Sequence, residues 1–191
     1  LAPARSLSAL IRFVAIAALA AIVGCGEVPA ILKPGPAAGA MGVARLAPRN
    51  GSTVRGFISF TQRGDRVAIA GNFVELFPGT HSLYIHSVGN CSSLNAASAG
   101  PVWDVNGATA GGKRLGELPQ LSAGSEGHAE LQWSSSQLSV GTGKPNDVIG
   151  HSVVVYAERD PDPKAEFGVP NGRLACGVIE PSTGLDLKNL L

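Results

Sequence analysis

From residue 43 onward the chain consists of short runs of Val, Ile, Phe and Thr broken by Gly, Pro, Asn and Asp, and nowhere does a 3.6-residue apolar repeat persist. Without that repeat a helix has no continuous face to bury, so the core has to be assembled from strands. The runs at 43–46, 53–62, 66–74, 81–87, 129–133, 152–158 and 173–179 are the candidate strands. Seven or eight short antiparallel strands predict an all-β fold, a Greek-key β-sandwich or barrel of about eight strands. Arg63-Gly64-Asp65 joins two alternating runs, so that Ile58 and Phe60 on one side and Val67, Ile69 and Phe73 on the other can face one core. The same tripeptide spells an integrin-type recognition motif, and here it is read as a glycine-containing hairpin turn. Two long segments, 89–126 and 160–172, are rich in Gly, Pro, Ser and Asn and read as functional loops on a rigid scaffold.

A hydrophobic content of 45% with only 15% charged residues supports one folded domain rather than a disordered chain. A net charge of +1, with no basic run interleaved with aromatics, argues against nucleic acid as a partner. Ahead of the domain, Arg5 and Arg12 precede an uncharged apolar run at 13–23 that ends in Ile22-Val23-Gly24-Cys25, the outline of a signal peptide over 1–24. That run is shorter than the roughly 20 residues a membrane-spanning helix needs. Small residues before Cys25 resemble a bacterial lipobox, in which the cysteine is lipidated and holds the mature protein at a membrane surface. The other reading is an ordinary secretory leader in which Cys25 is incidental. By analogy with lipoprotein sorting in Gram-negative bacteria, Gly26 directs the expectation to the outer membrane, at its periplasmic face or the cell surface. Residues 25–42, rich in Gly, Ala and Pro, read as a flexible linker, 43–180 as the domain and 181–191 as a C-terminal tail. Three cysteines are an odd number for an exported protein, and lipidation of Cys25 would leave two.

Five segments occur in a telling order: TQRGDRVAIAGNF, PGTHSLYIHSVGNC, GELP, DVIGHSVVVYAERD and GRLACGVI. Together they resemble the Cu/Zn superoxide dismutase family, respectively in its second hairpin, copper strand, zinc-loop end, next copper strand and last strand. The similarity covers about 43–179. It implies a disulfide between Cys91 and Cys176 in an oxidising compartment, a superoxide-steering role for Arg173, a structural histidine at His81, and a place for Asp160 behind the ligands, bracing both metal sites. It also implies a metal-ligand set that this chain lacks. The family's His-x-His falls on Tyr84 and His86, its bridging histidine on Val102 and its fourth copper histidine on Tyr156. Two zinc histidines fall on Ala110 and Arg114, and Glu117 replaces the zinc aspartate. Copper cycling relies on neutral nitrogen ligands, of which one of four remains. Zinc needs four ligands, so it is not expected.

In an extended strand Tyr84 and His86 share one face, and Leu83 and Ile85 the other. Tyr84 and Tyr156 are the chain's two tyrosines, and both stand at copper positions. Phenolates can hold a hard cation such as ferric iron, so His86, Tyr84 and Tyr156 form a candidate residual site for copper or iron. Alternatively, with a phenol pKa near ~10, a neutral tyrosine fills the volume of an imidazole and hydrogen-bonds to His86 or a neighbouring carboxylate. Arg173 likewise has two readings, anion steering or a stabilising bond to loop carbonyls. His151 reaches the site only if its loop bends inward, and His128 belongs to a turn. The resulting expectation is an exported, superoxide dismutase-like lipoprotein without dismutase activity or cofactor. It would act as a binding or structural module, attached to a membrane through Cys25, for a protein or small-ligand partner of unknown identity. The alternative is a divergent dismutase or metal-binding protein using His86, Tyr84 and Tyr156.

Overall fold

In the computed structural model the described residues are 39–105, 114–157 and 172–183. The expectations for the leader, Cys25, the linker up to residue 38, Ala110, Asp160 and the tail beyond 183 lie outside them.

Alternating residues become paired strands: β1 (Met41–Pro48), β2 (Arg55–Arg63), β3 (Arg66–Val74), β4 (Gly79–His81), β5 (Leu83–His86), β6 (Leu121–Ala123), β7 (Ala129–Ser135), β8 (Ser152–Tyr156) and β9 (Arg173–Ser182). Seven of them form one antiparallel sheet in the order β5-β8-β9-β1-β2-β3-β7, and β4 pairs with β6 in a two-stranded ribbon. Among the described residues the only helical element is a 3₁₀ turn at Ala97–Ala99. The all-β expectation is met.

Several details differ from the sequence reading: Met41 and Gly42, read as the end of the linker, begin β1, and Pro181 and Ser182, read as the start of the tail, end β9 and pair with them. The single strand expected at 81–87 is two, β4 and β5, separated at Ser82 and hydrogen-bonded into different sheets. Strand β6 lies inside the stretch read as loop, because three residues flanked by Gln120 and Gly124 are too few to show alternation. The β2–β3 turn is as expected. Arg63 pairs with Arg66, and Gly64, at φ 59°, supplies the positive φ that a two-residue hairpin needs. Buried Gln62 braces it, donating from Nε2 to the carbonyls of Gly64 and Arg66 at 2.8 and 3.3 Å while its Oε1 accepts Val140 N–H at 2.9 Å.

One face of the sheet builds the main core from Ala44, Leu46, Ile58, Phe60, Val67, Ile69, Phe73, Leu83, Ile85, Val153, Val155 and Ile179. The opposite face of β5, β8 and β9 is also covered. There Tyr84, Val154, Tyr156 and Cys176 pack with Cys91, Ala96 and Ala99 from the segment after β5, with Val102 and Val178 beside them. A Cys91–Cys176 disulfide, Cα–Cα 5.8 Å, ties that segment to β9. Its 85-residue separation corresponds to about 4–5 kcal/mol in the chain-entropy account. Backbone bonds from Ser87 to Pro101 and from Val88 to Ala99, and Arg49 Nε–H to the Cys91 carbonyl at 3.0 Å, complete the attachment.

Candidate functional site

The candidate site is the outer face of β5 and β8 beneath this segment. Register sets it out: Tyr84 opposes Val154 and His86 opposes Ser152, which places Tyr156 just beyond the pair. A bulge at Val155/Tyr156, where the pairing with β9 shifts to Tyr156–Arg173, re-aims the tyrosine across the face. On the free side of β5, Val102 pairs with His86 and Glu117 with Tyr84. Gly116 makes that approach feasible, since a Cβ there would lie 2.2 Å from the Ile85 carbonyl oxygen. Tyr84, His86, Val102 and Tyr156, the four positions of the copper set, thus lie together on this face.

The chemistry among them centres on His86, which is 1% exposed. Its Nδ1 lies 2.7 Å from the Gly100 carbonyl, which can only accept, so Nδ1 carries the proton. Nε2 is then the acceptor, and the Tyr156 hydroxyl donates to it at 3.1 Å. Burial lowers the His86 pKa to about 4; the Gly100 bond opposes that shift, and the positive charges of Arg173 and Arg114 add to it. Burial pushes the Tyr156 phenol upward against the opposing pull of Arg173. At neutral pH the pair is therefore a neutral imidazole and a neutral phenol.

Aromatic and cationic contacts enclose the pair. The Tyr84 and Tyr156 rings meet edge-on with centroids 5.5 Å apart, and the Arg114 and Arg173 guanidinium carbons lie 5.6 and 5.7 Å from the Tyr84 and Tyr156 centroids. Arg173 also donates from Nη1 to the Ala96 carbonyl at 2.7 Å, the loop-carbonyl bond that is one of its two readings. Arg114 pairs with Glu117 at 2.9 Å, so these two zinc-set positions hold each other.

The other histidines lie elsewhere. His81, 2% exposed, faces the Tyr156 carbonyl with Nδ1 at 2.9 Å and the Phe77 carbonyl with Nε2 at 2.8 Å, a structural position. His151 does not join the tyrosines. Its ring stacks on Trp103 at 4.0 Å, its Nδ1 lies 3.2 Å from the His86 carbonyl, and burial lowers its pKa. His128 is exposed. Sequence reasoning missed the Trp103–His151 stack and the carbonyls of Gly100 and Ala96. The carbonyl roles leave no sequence signal, because every residue carries one.

These donors do not fit a copper–zinc pair. They amount to one imidazole whose acceptor nitrogen is already hydrogen-bonded, two tyrosines, an apolar Val102 at the bridge position, and an arginine paired with a carboxylate. Among the described residues no group of three or more His, Cys, Asp or Glu is placed to hold a metal ion.

Comparison with known proteins gives consistent results. The family profile described as copper/zinc superoxide dismutase (SODC) matches residues 54–179. An extracellular superoxide dismutase [Cu-Zn] from Brugia pahangi is 30% identical over 154 residues, covering 73% of this chain and 75% of that protein. A superoxide dismutase [Cu-Zn] from Onchocerca volvulus is 31% identical over 150 residues, covering 70% of this chain and 93% of that protein.

Proposed function

The chain belongs to the copper/zinc superoxide dismutase family, and from that membership and the residues at its metal positions we propose that it keeps the family's scaffold without the family's reaction. It serves as a binding or structural module. The observation that carries this reading is the Tyr156–His86 hydrogen bond, which engages the acceptor nitrogen of the single imidazole among the four copper positions. Alternation between two copper oxidation states calls for several neutral nitrogen donors, and Val102 offers none at the bridge. Arg173 fits a stabilising role, since it commits a donor to the Ala96 carbonyl.

The proposed setting is outside the cytoplasm, with the domain held at the outer membrane through lipidated Cys25. The Cys91–Cys176 disulfide supports an oxidising compartment. The leader pattern and a relative named as extracellular support export. The partner is a protein or small ligand met at that surface, and nucleic acid is not among the candidates.

Elemental analysis of the mature domain after exposure to copper, zinc and iron, followed by a superoxide assay, tests the reading. No metal above trace and no rate are expected. Stoichiometric copper with a rate abolished by His86→Ala would overturn it in favour of a divergent enzyme working through His86, Tyr84 and Tyr156. Replacement of Cys25 by Ser should release the protein from membranes, and continued retention would remove the lipid anchor from the proposal.

A further inference from the structure

The Tyr156–His86 contact has the length of two ligands on one ion. Donors bound to a common metal at roughly 2 Å each, at an angle between square and tetrahedral, lie about 2.8–3.3 Å apart. Tyr156 Oη and His86 Nε2 are 3.1 Å apart, and a hydrogen bond donated by the hydroxyl joins them instead. From that proton the bonding runs outward to the covering segment. His86 passes the connection through its ring to the Gly100 carbonyl at 2.7 Å. Arg173, over the Tyr156 ring, reaches the Ala96 carbonyl at 2.7 Å, and Ser152 Oγ–H donates to the Val88 carbonyl at 2.7 Å. Together with the disulfide, β5, β8 and β9 each hold the covering segment through a side chain of their own.

We propose that the Tyr156 phenol takes over the cross-linking that an ion would provide at this site, ordering residues 96–100 by protein bonds alone. The proposal rests on the reading above that the site takes no metal. It assigns Tyr156 a positioning role acting through His86, which is more than filling the volume of a lost imidazole. A space-filling tyrosine would be replaced by Phe at no cost to the segment. A cross-linking one would not, because Phe keeps the ring against Tyr84 and leaves buried His86 Nε2 without its donor. The Tyr156 ring lies with its centroid 5.5 Å from that of Tyr84 and 6.0 Å from that of His86, so imidazoles placed at 84 and 156 should converge with His86.

The test uses the full-length protein. Hydrogen exchange at the amides of Ala99 and Gly100, both bonded within the 3₁₀ turn, is compared for wild type, Tyr156→Phe and wild type with EDTA. Exchange about tenfold faster in Tyr156→Phe is expected, the size of one lost net hydrogen bond, and EDTA should change nothing. The second arm adds Cu(II) alone to wild type and to Tyr84→His/Tyr156→His, with Tyr156→His as the fallback where the double variant does not fold. About one copper per chain in the variant and none in wild type is expected. Unchanged exchange in Tyr156→Phe, or a folded histidine variant that takes no copper, overturns this inference and leaves the functional reading standing. Stoichiometric copper on wild type, or EDTA-sensitive exchange, overturns both.

Discussion

The two faces of β5, β8 and β9 come from the same strands yet are held in different ways. The inner face presents Leu83, Ile85, Val153, Val155 and Ala175, all at 0% exposure, and joins a core that spans the sheet. The outer face presents Tyr84, His86, Tyr156 and Cys176 and is covered by one segment through a disulfide and a few directed bonds. Apolar burial depends on area and is spread over many residues. A buried hydrogen bond depends on individual atoms, and losing one partner leaves the other unsatisfied. The difference predicts a tolerant inner face for swaps of equal volume and an outer face where single atoms matter.

The largest expected effect is on the inner side. Phe60→Ala should cost about 3–5 kcal/mol and lower stability measured by any probe, and a loss confined to the covering segment would break the distinction between the two faces. Replacing Cys91 and Cys176 together by Ser should cost about 2–5 kcal/mol. Here chemical denaturation would report the global loss, while hydrogen exchange should show residues 87–103 loosening well before the main core.

Acid should act through the outer face. The His86 pKa falls from 6.5 to about 4 on folding, so the unfolded chain binds the proton first and stability falls as pH drops from about 6.5 toward 4. The full loss is about 3 kcal/mol: that stability is intact at neutral pH and has been lost by about pH 4. His151, whose pKa is also lowered by burial, adds a smaller loss of the same sign. Denaturation of His86→Gln across this range should show a shallower slope, and an unchanged slope would remove His86 as its cause. The smallest effect is expected at the rim. Glu117→Gln breaks a partly exposed pair with Arg114 and should change stability by no more than about 1 kcal/mol, with the Tyr156–His86 contact intact by NMR.

Much of the fold was legible because an extended chain writes its faces into alternate residues. Ile58, Phe60, Val67, Ile69 and Phe73 were placed in one core from spacing alone, and all five are there. The interruption at Ser82 was not legible, because two strands in register with different partners look like one run until the partners are known. The candidate site was legible in part. Alternation put Tyr84 and His86 together, and the resemblance pointed to Val102 and Tyr156. The position of His151 against Trp103 depended on loops whose path local pattern does not encode.

Residue order by itself determined the all-β class and the shared face of Tyr84 and His86, because these are properties of composition and of a period of two, while the resemblance to the family marked the metal positions. Only the tertiary structure decided that the Tyr156 hydroxyl meets His86 Nε2 across 70 residues of chain, and that Gly100 and Ala96 supply the answering carbonyls. A hydrogen bond forms or fails over a few tenths of an ångström, a distance set by register, by the bulge at Tyr156 and by a disulfide, and none of these is a local property of the sequence.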